Sequence, residues 1–110
     1  MTDREKLELA AKACGQSITW SDTYQRFFRN GAELGQPAFW QPDTNQADSD
    51  RMAGKLRIGM RFLTKAVEAY WTDGVSLNYK IVIHNNTDED VYRAVREARL
   101  LVAAEIGRLK

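Results

Sequence analysis

The sequence is sparing with the residues that most chemistry needs. Cys14 is its only cysteine, so no intramolecular disulfide can form. It ends an apolar stripe of Leu7, Ala10 and Ala11, which predicts a buried, inert thiol and not a nucleophile. His84 is the only histidine. One His and one Cys cannot supply the roughly four ligands of a typical zinc site. Only one Ser-His-acid combination can be drawn, and no elbow motif frames a serine. Asp43, Asp48 and Asp50 invite a carboxylate site for Mg²⁺ or Ca²⁺, but the EF-hand series and its closing glutamate are missing. Capping of a helix start accounts for these three residues. There is no P-loop and no dinucleotide fingerprint, and Gly31 and Gly35 sit beside hairpin signals. The expectation is therefore no enzyme, no catalytic residue, no metal and no cofactor. No apolar run approaches the roughly 18 residues of a membrane span. The start, MTDREKLELAAKACG, has no signal-peptide core, which points to the cytoplasm. In that setting the Asn85-Asn86-Thr87 sequon is irrelevant. Sixteen basic residues face 15 acidic ones, a net charge of +1, so a polyanion would be attracted only by a local basic patch.

What is present is the pattern of a single globular domain over residues 1–110: 44% of the residues are hydrophobic and 28% charged, too many apolar for a disordered chain. Thr2 and Glu5 make a capping-box pattern, and Gly15 is a C-terminal stop, predicting a helix from Asp3 to Cys14. Ser17–Trp20 and Thr23–Arg29 are β-rich and separated by the polar Ser21-Asp22, and Asn30-Gly31 follows as an expected tight hairpin turn. Phe39 and Trp40 close a third strand, made irregular by Gly35 and Pro37 and placed at an edge. Asp43 and Thr44 are expected caps of a second helix carrying Met52 and Leu56, with Asp48 or Asp50 holding its first N–H groups and Gly59 ending it. Met60–Trp71 fits either a strand or an extension of the helix, and Gly59 with the Thr72-Asp73-Gly74 turn favours one strand with apolar residues on both faces. Val75, Leu77, Tyr79, Ile81 and Ile83 alternate with Ser76, Asn78 and Lys80, the pattern of a half-buried strand, and the Asp73-Gly74 turn makes it a hairpin arm. Thr87 caps a last helix in which Val91, Val95, Ala98, Val102, Ile106 and Leu109 form the stripe that packs on the sheet. The order predicts an α+β domain with a mostly antiparallel sheet.

Three blocks, REKLELAAKACG, FWQPDTNQADSDRMAGKLRI and YRAVREARLLVAAEIGRLK, resemble the phage ABA-sandwich domain family. In that family a Trp-(Asn/Gln)-Pro segment leads through an acidic loop into a helix ending in Lys-Leu, and an Ala-Ala-Glu-Ile-Gly helix closes the chain. The matching positions are Trp40-Gln41-Pro42, Asp48, Lys55-Leu56 and Ala103 to Gly107; the region from Tyr24 to Ala38 is longer than the family's first strand. The resemblance implies a three-layer α/β/α sandwich with helices on both sheet faces, a phage or prophage origin and hence the host-cell cytoplasm. It supplies no catalytic residues.

Two surfaces remain as sites. Tyr24, Arg26, Phe27, Phe28, Arg29, Phe39 and Trp40 combine aromatics with arginine, the usual anchors of a protein interface; the competing explanation is that packing buries them. The partner would be a host or phage protein, and the activity that of an anti-defence or host-takeover inhibitor. Leu9 and Leu100, off their helices' main stripes, point the same way. The alternative is nucleic-acid binding through Arg93, Arg96 and Arg99 with Tyr92 nearby, joined by Arg26 and Arg29 among their aromatics, although Glu97 interrupts the helix arginines and an ordinary solvated face explains them as well. Self-association is a further option.

Overall fold

The computed structural model describes residues 1–31 and 38–110; Gly35 and Pro37 lie outside the described residues. The elements are α1 (Asp3–Cys14), β1 (Ile18–Ser21), β2 (Arg26–Arg29), α2 (Gln46–Leu56), β3 (Gly59–Phe62), β4 (Ala66–Thr72), β5 (Leu77–Ile83) and α3 (Asp88–Leu109). They form an α+β fold with two antiparallel sheets, β1-β2 and β3-β4-β5. No described helix is long and apolar enough to cross a membrane.

Helix α1 has the expected bounds. The Thr2 hydroxyl accepts the Glu5 N–H at 3.1 Å, and Gly15 closes the helix at φ 71°, a left-handed backbone that glycine adopts without a Cβ penalty. The hairpin that follows turns near the polar Ser21-Asp22 break between the two β-rich runs. Strand β1 pairs with β2 from Ile18↔Arg29 to Ser21↔Arg26, so the turn is 22–25, where Gln25 has φ 54° and its side chain donates to the Asp22 carbonyl. Asn30 clamps the open end: its N–H donates to the Ser17 carbonyl and its amide to the Ser17 hydroxyl. Among the described residues Phe39 meets the sheet through an antiparallel bridge to Phe28.

Helix α2 is capped by Asn45, whose side chain accepts the Asp48 N–H at 2.9 Å, and not by Asp43 or Thr44. It ends at Arg57, left-handed at φ 58°, with the Ile58 N–H returning to the Ala53 carbonyl. Gly59 is therefore not a stop; it opens β3. The Met60–Trp71 run is two strands, not one, joined through 63–65, where the Leu63 N–H reaches the Ala66 carbonyl at 2.9 Å. None of Leu63, Thr64 and Lys65 is a turn-forming type, so the break left no mark in composition. The Asp73-Gly74 turn is as expected, with the Asp73 carboxylate accepting the Val75 and Ser76 N–H groups.

Helix α3 is capped by Thr87 through the Asp90 N–H. Its first half buries one stripe, Ala94, Val95 and Ala98. From Leu100 to Gly107 it is buried on almost every side, the mark of a helix with neighbours all round. β4 and β5 pack against it, and α1 and α2 pack against it as well. Gly107 lies against the Leu9 backbone, and a Cβ there would run into the Leu9 carbonyl. That crossing explains why Leu100 is buried and Leu9 half-buried. Leu109, expected in the stripe, is exposed.

Val67 and Ala69 of β4 are fully buried and join the core with Ala94, Ala98 and Val102 of α3. The other face of the same sheet carries Tyr70, Leu77, Tyr79, Ile81 and Ile83, all exposed. Helices over both faces were expected from the resemblance; among the described residues that second face has no helix covering it.

Candidate protein-binding surfaces

Strand β2 sorts the first set of predicted residues by the two-residue period of a pleated strand. Phe27 is buried and packs edge-on against Trp20 at 4.8 Å between ring centres. Trp40 is buried too. Both belong to the core, so packing, and not a partner, accounts for these two positions. Arg29 points inward and its guanidinium meets the Asp48 carboxylate at 2.8 Å. Asp48, only 1% exposed, also accepts the Gln41 N–H at 2.9 Å and pairs with Arg51. The acid expected to serve a helix N-terminus is thus a buried junction tying β2, the segment after Trp40 and α2 together.

The remaining members face outward and cluster. Tyr24 is 58% exposed; its ring stands edge-on to Phe28 at 6.0 Å and to Phe39 at 5.6 Å. Phe28 and Phe39 lie 4.9 Å apart. The Arg26 guanidinium sits 5.0 Å over the Phe39 ring and has no carboxylate partner among the described residues. Beside this cluster a groove of about 470 Å³ runs between α1 and the hairpin, lined by Arg4, Leu7, Trp20, Arg26, Trp40 and Asp43 among others. The Arg4 guanidinium lies 4.4 Å over Trp20. Burial pushes the Asp43 carboxyl above its ordinary value.

The arginines of α3 are engaged within the fold. Arg93 pairs with Asp90 and Glu97, both at 2.6 Å, and donates to the Ile83 carbonyl. Arg96 donates to the Asp43 carbonyl and the Gln46 side chain. Arg99 holds Asp50 at 2.6 Å and the Ser49 hydroxyl at 3.4 Å. Burial alone would raise the Asp50 pKa, yet the hydrogen bonds from Arg99 and Gln46 hold it below the ordinary carboxylate value. Asp90 is held low by Arg93 first and then by the Asn85 N–H. Arg96 and Arg99 dock α2 onto α3, and Arg93 ties the start of α3 to the end of β5. The row of arginines that suggested phosphate binding is a set of structural ties.

Cys14 is buried, and that burial raises its thiol pKa. His84 is buried with Nδ1 accepting the Asn86 N–H at 3.0 Å. Among the described residues no three His, Cys, Asp or Glu side chains come together as a metal site would need.

The second surface was not singled out from sequence. Register places Tyr70 opposite Tyr79, Glu68 opposite Ile81, Ala66 opposite Ile83 and Thr72 opposite Leu77, so these share the outer face of the sheet. Arg61 and Glu68, paired across β3 and β4 at 3.2 Å, lie at its β3 side. The Tyr70 ring rests on Gly59, where a Cβ would collide with it. The period-2 pattern of β5 was a signal for an apolar face. What it lacked was any sign of which side that face would take. No family model, curated protein or solved structure matches this chain.

Proposed function

We propose that this protein acts without catalysis, by binding another protein through the aromatic cluster on the outer side of the β1-β2 hairpin. The observation that carries the proposal is Arg26 stacked on Phe39 beside the exposed Tyr24 ring, with no carboxylate partner among the described residues. Tyr and Arg held by neighbouring rings lose little side-chain freedom on binding, which is why they dominate interface energetics. The partner of best fit offers a carboxylate to Arg26 and an apolar side chain to the Tyr24-Phe28 edge. The resemblance to the phage ABA-sandwich family supports a host or phage protein as that partner, with inhibition as the consequence of binding.

The test is capture from nuclease-treated host lysate by the intact protein and by a Tyr24→Ala/Arg26→Ala variant whose circular dichroism and unfolding midpoint match wild type. A protein held in stoichiometric amount by the parent and lost by the variant supports the assignment. Equal capture by both removes the hairpin from consideration.

A further inference from the structure

The outer face of β3-β4-β5 stands apart from the hairpin surface and presents a different chemistry. Tyr70, Leu77, Tyr79, Ile81 and Ile83 are between 40% and 75% exposed. With about 200 Å² for each large side chain, those fractions leave on the order of 500 Å² of apolar-residue surface in one contiguous patch. That is at the upper end of what a monomer displays. Two such patches pressed together would remove on the order of 1,000 Å² from water, the size at which specific interfaces begin.

We infer that a second copy of this chain covers this face, sheet against sheet, about a two-fold axis. Charge decides between a second copy and an unrelated partner. The charged side chains of the face are Arg61 and Glu68, one of each sign. Within one chain Arg61, 64% exposed, pairs with Glu68, 13% exposed; a two-fold axis brings the two such pairs of a dimer together so that each Arg61 can also reach the other copy's Glu68, and the face is complementary to itself. The apolar rows then meet as the inner faces of a β-sandwich do, about 10 Å apart. The shallow depression bounded by Arg61, Glu68, Tyr70, Leu77, Tyr79 and Ile81 receives an apolar side chain from the partner copy.

Edge-to-edge pairing through β5 is opposed by the sequence. Lys80 lies on the α3 side of this edge strand, where, after the hydrogen bond from Arg108, it helps hold the Glu105 carboxyl below its ordinary value. An exposed lysine on an edge strand is a device against ladder extension. The edge is guarded and the face is not.

Sedimentation equilibrium of the whole protein across a concentration series tests the inference. A monomer-dimer equilibrium is expected, shifted at least tenfold toward monomer by Ile81→Glu, whose exposed position leaves the fold intact by circular dichroism. The register is tested by Arg61→Glu and Glu68→Arg prepared separately. Each alone carries like charges across the axis and should stay monomeric, while an equimolar mixture should form a heterodimer. A wild type that is monomeric at every concentration overturns the inference, as does a dimer untouched by Ile81→Glu, or a mixture that fails to associate. These outcomes are independent of Tyr24 and Arg26, so the hairpin proposal stands or falls separately.

Discussion

The two faces of β5 differ, and it is the apolar one that meets solvent. The side turned toward α3 presents Asn78, Lys80 and Val82, and the side turned to solvent presents Leu77, Tyr79, Ile81 and Ile83. Alternation along a strand says that two faces differ; it does not say which one a helix will cover. Here β4 makes the choice. Val67 and Ala69 are small enough to lie under the alanine-lined side of α3, and the pairings Val67↔Val82 and Ala69↔Lys80 carry the β5 residues at those positions to the same side. Packing of the central strand thus outweighs hydropathy in its neighbour, and the sheet is left with an apolar face to be covered from outside.

The sharpest way to break this comparison is to place the same charge on each face. Val67→Asp buries an unpaired carboxylate and should cost more than about 4 kcal/mol, enough to abolish the native state. Ile81→Asp, measured by urea unfolding of the monomer in dilute solution, should fall within about 0.5 kcal/mol of wild type. Equal losses at the two sites would mean that the outer face is core.

The next largest effect contrasts the buried and exposed carboxylates of α2. Asp48→Ala removes the carboxylate that the buried Arg29 guanidinium meets and leaves the Gln41 N–H without its acceptor. Breaking a buried pair on one side costs about 3–5 kcal/mol. Asp50, more than half exposed although paired with Arg99, should cost under about 1 kcal/mol when changed to Ala. Comparable urea midpoints for the two variants would refute the junction role of Asp48.

Acid titration sharpens the same contrast more gently. Asp50 and Asp90 have native pKa values below their unfolded ones, so the unfolded chain takes up protons first as the pH falls. Their contribution is complete above about pH 4 and is lost as the pH drops through the depressed native values. Asp50→Asn should flatten the slope of the unfolding midpoint against pH in that window and leave it unchanged near neutrality; an unchanged acid slope would contradict the Arg99 tie.

The smallest effect is at Gly59. A Cβ there displaces only the Tyr70 ring, a side chain free to swing into solvent, so Gly59→Ala should cost no more than about 1 kcal/mol. It should nonetheless change the ring resonances of Tyr70 and Tyr79 by NMR and weaken association through the outer face. Unmoved tyrosine signals would show that Tyr70 does not lie on Gly59.

Features written in short stretches were legible. Thr2 and Gly15 bound α1, Thr87 opens α3, Asp73-Gly74 turns one hairpin, and the α+β class with antiparallel pairing follows from their order. Each rests on a local hydrogen bond or a local backbone preference, settled within four residues. The misplaced elements had signals that competed or were absent. Asn30-Gly31 does lie in a turn, ahead of the antiparallel return that sets Phe39 beside Phe28, whereas the turn at 22–25, which brings Phe27 into the core beside Trp20, has no such dipeptide to announce it. The break at 63–65 contains no turn residue at all. Of the hairpin site, its aromatic and arginine content was visible, yet pleating separated Phe27 and Arg29 from Arg26 and Phe28, and Trp40 went inward with Phe27.

By itself, then, the sequence determined both ends of α1, the start of α3 and the antiparallel pairing of the strands, because these depend on residue type and near neighbours. Tertiary structure alone decided that Asp48 would be a buried junction, that the arginines of α3 would be ties and that the apolar row of β5 would face outward. Each depends on which distant segment arrives opposite. A carboxylate, a guanidinium or an isoleucine carries its chemistry in its own atoms, but its partner comes from 19 to 53 residues away for Arg29 with Asp48 and for Arg96 with Asp43, and only the packed chain brings them together.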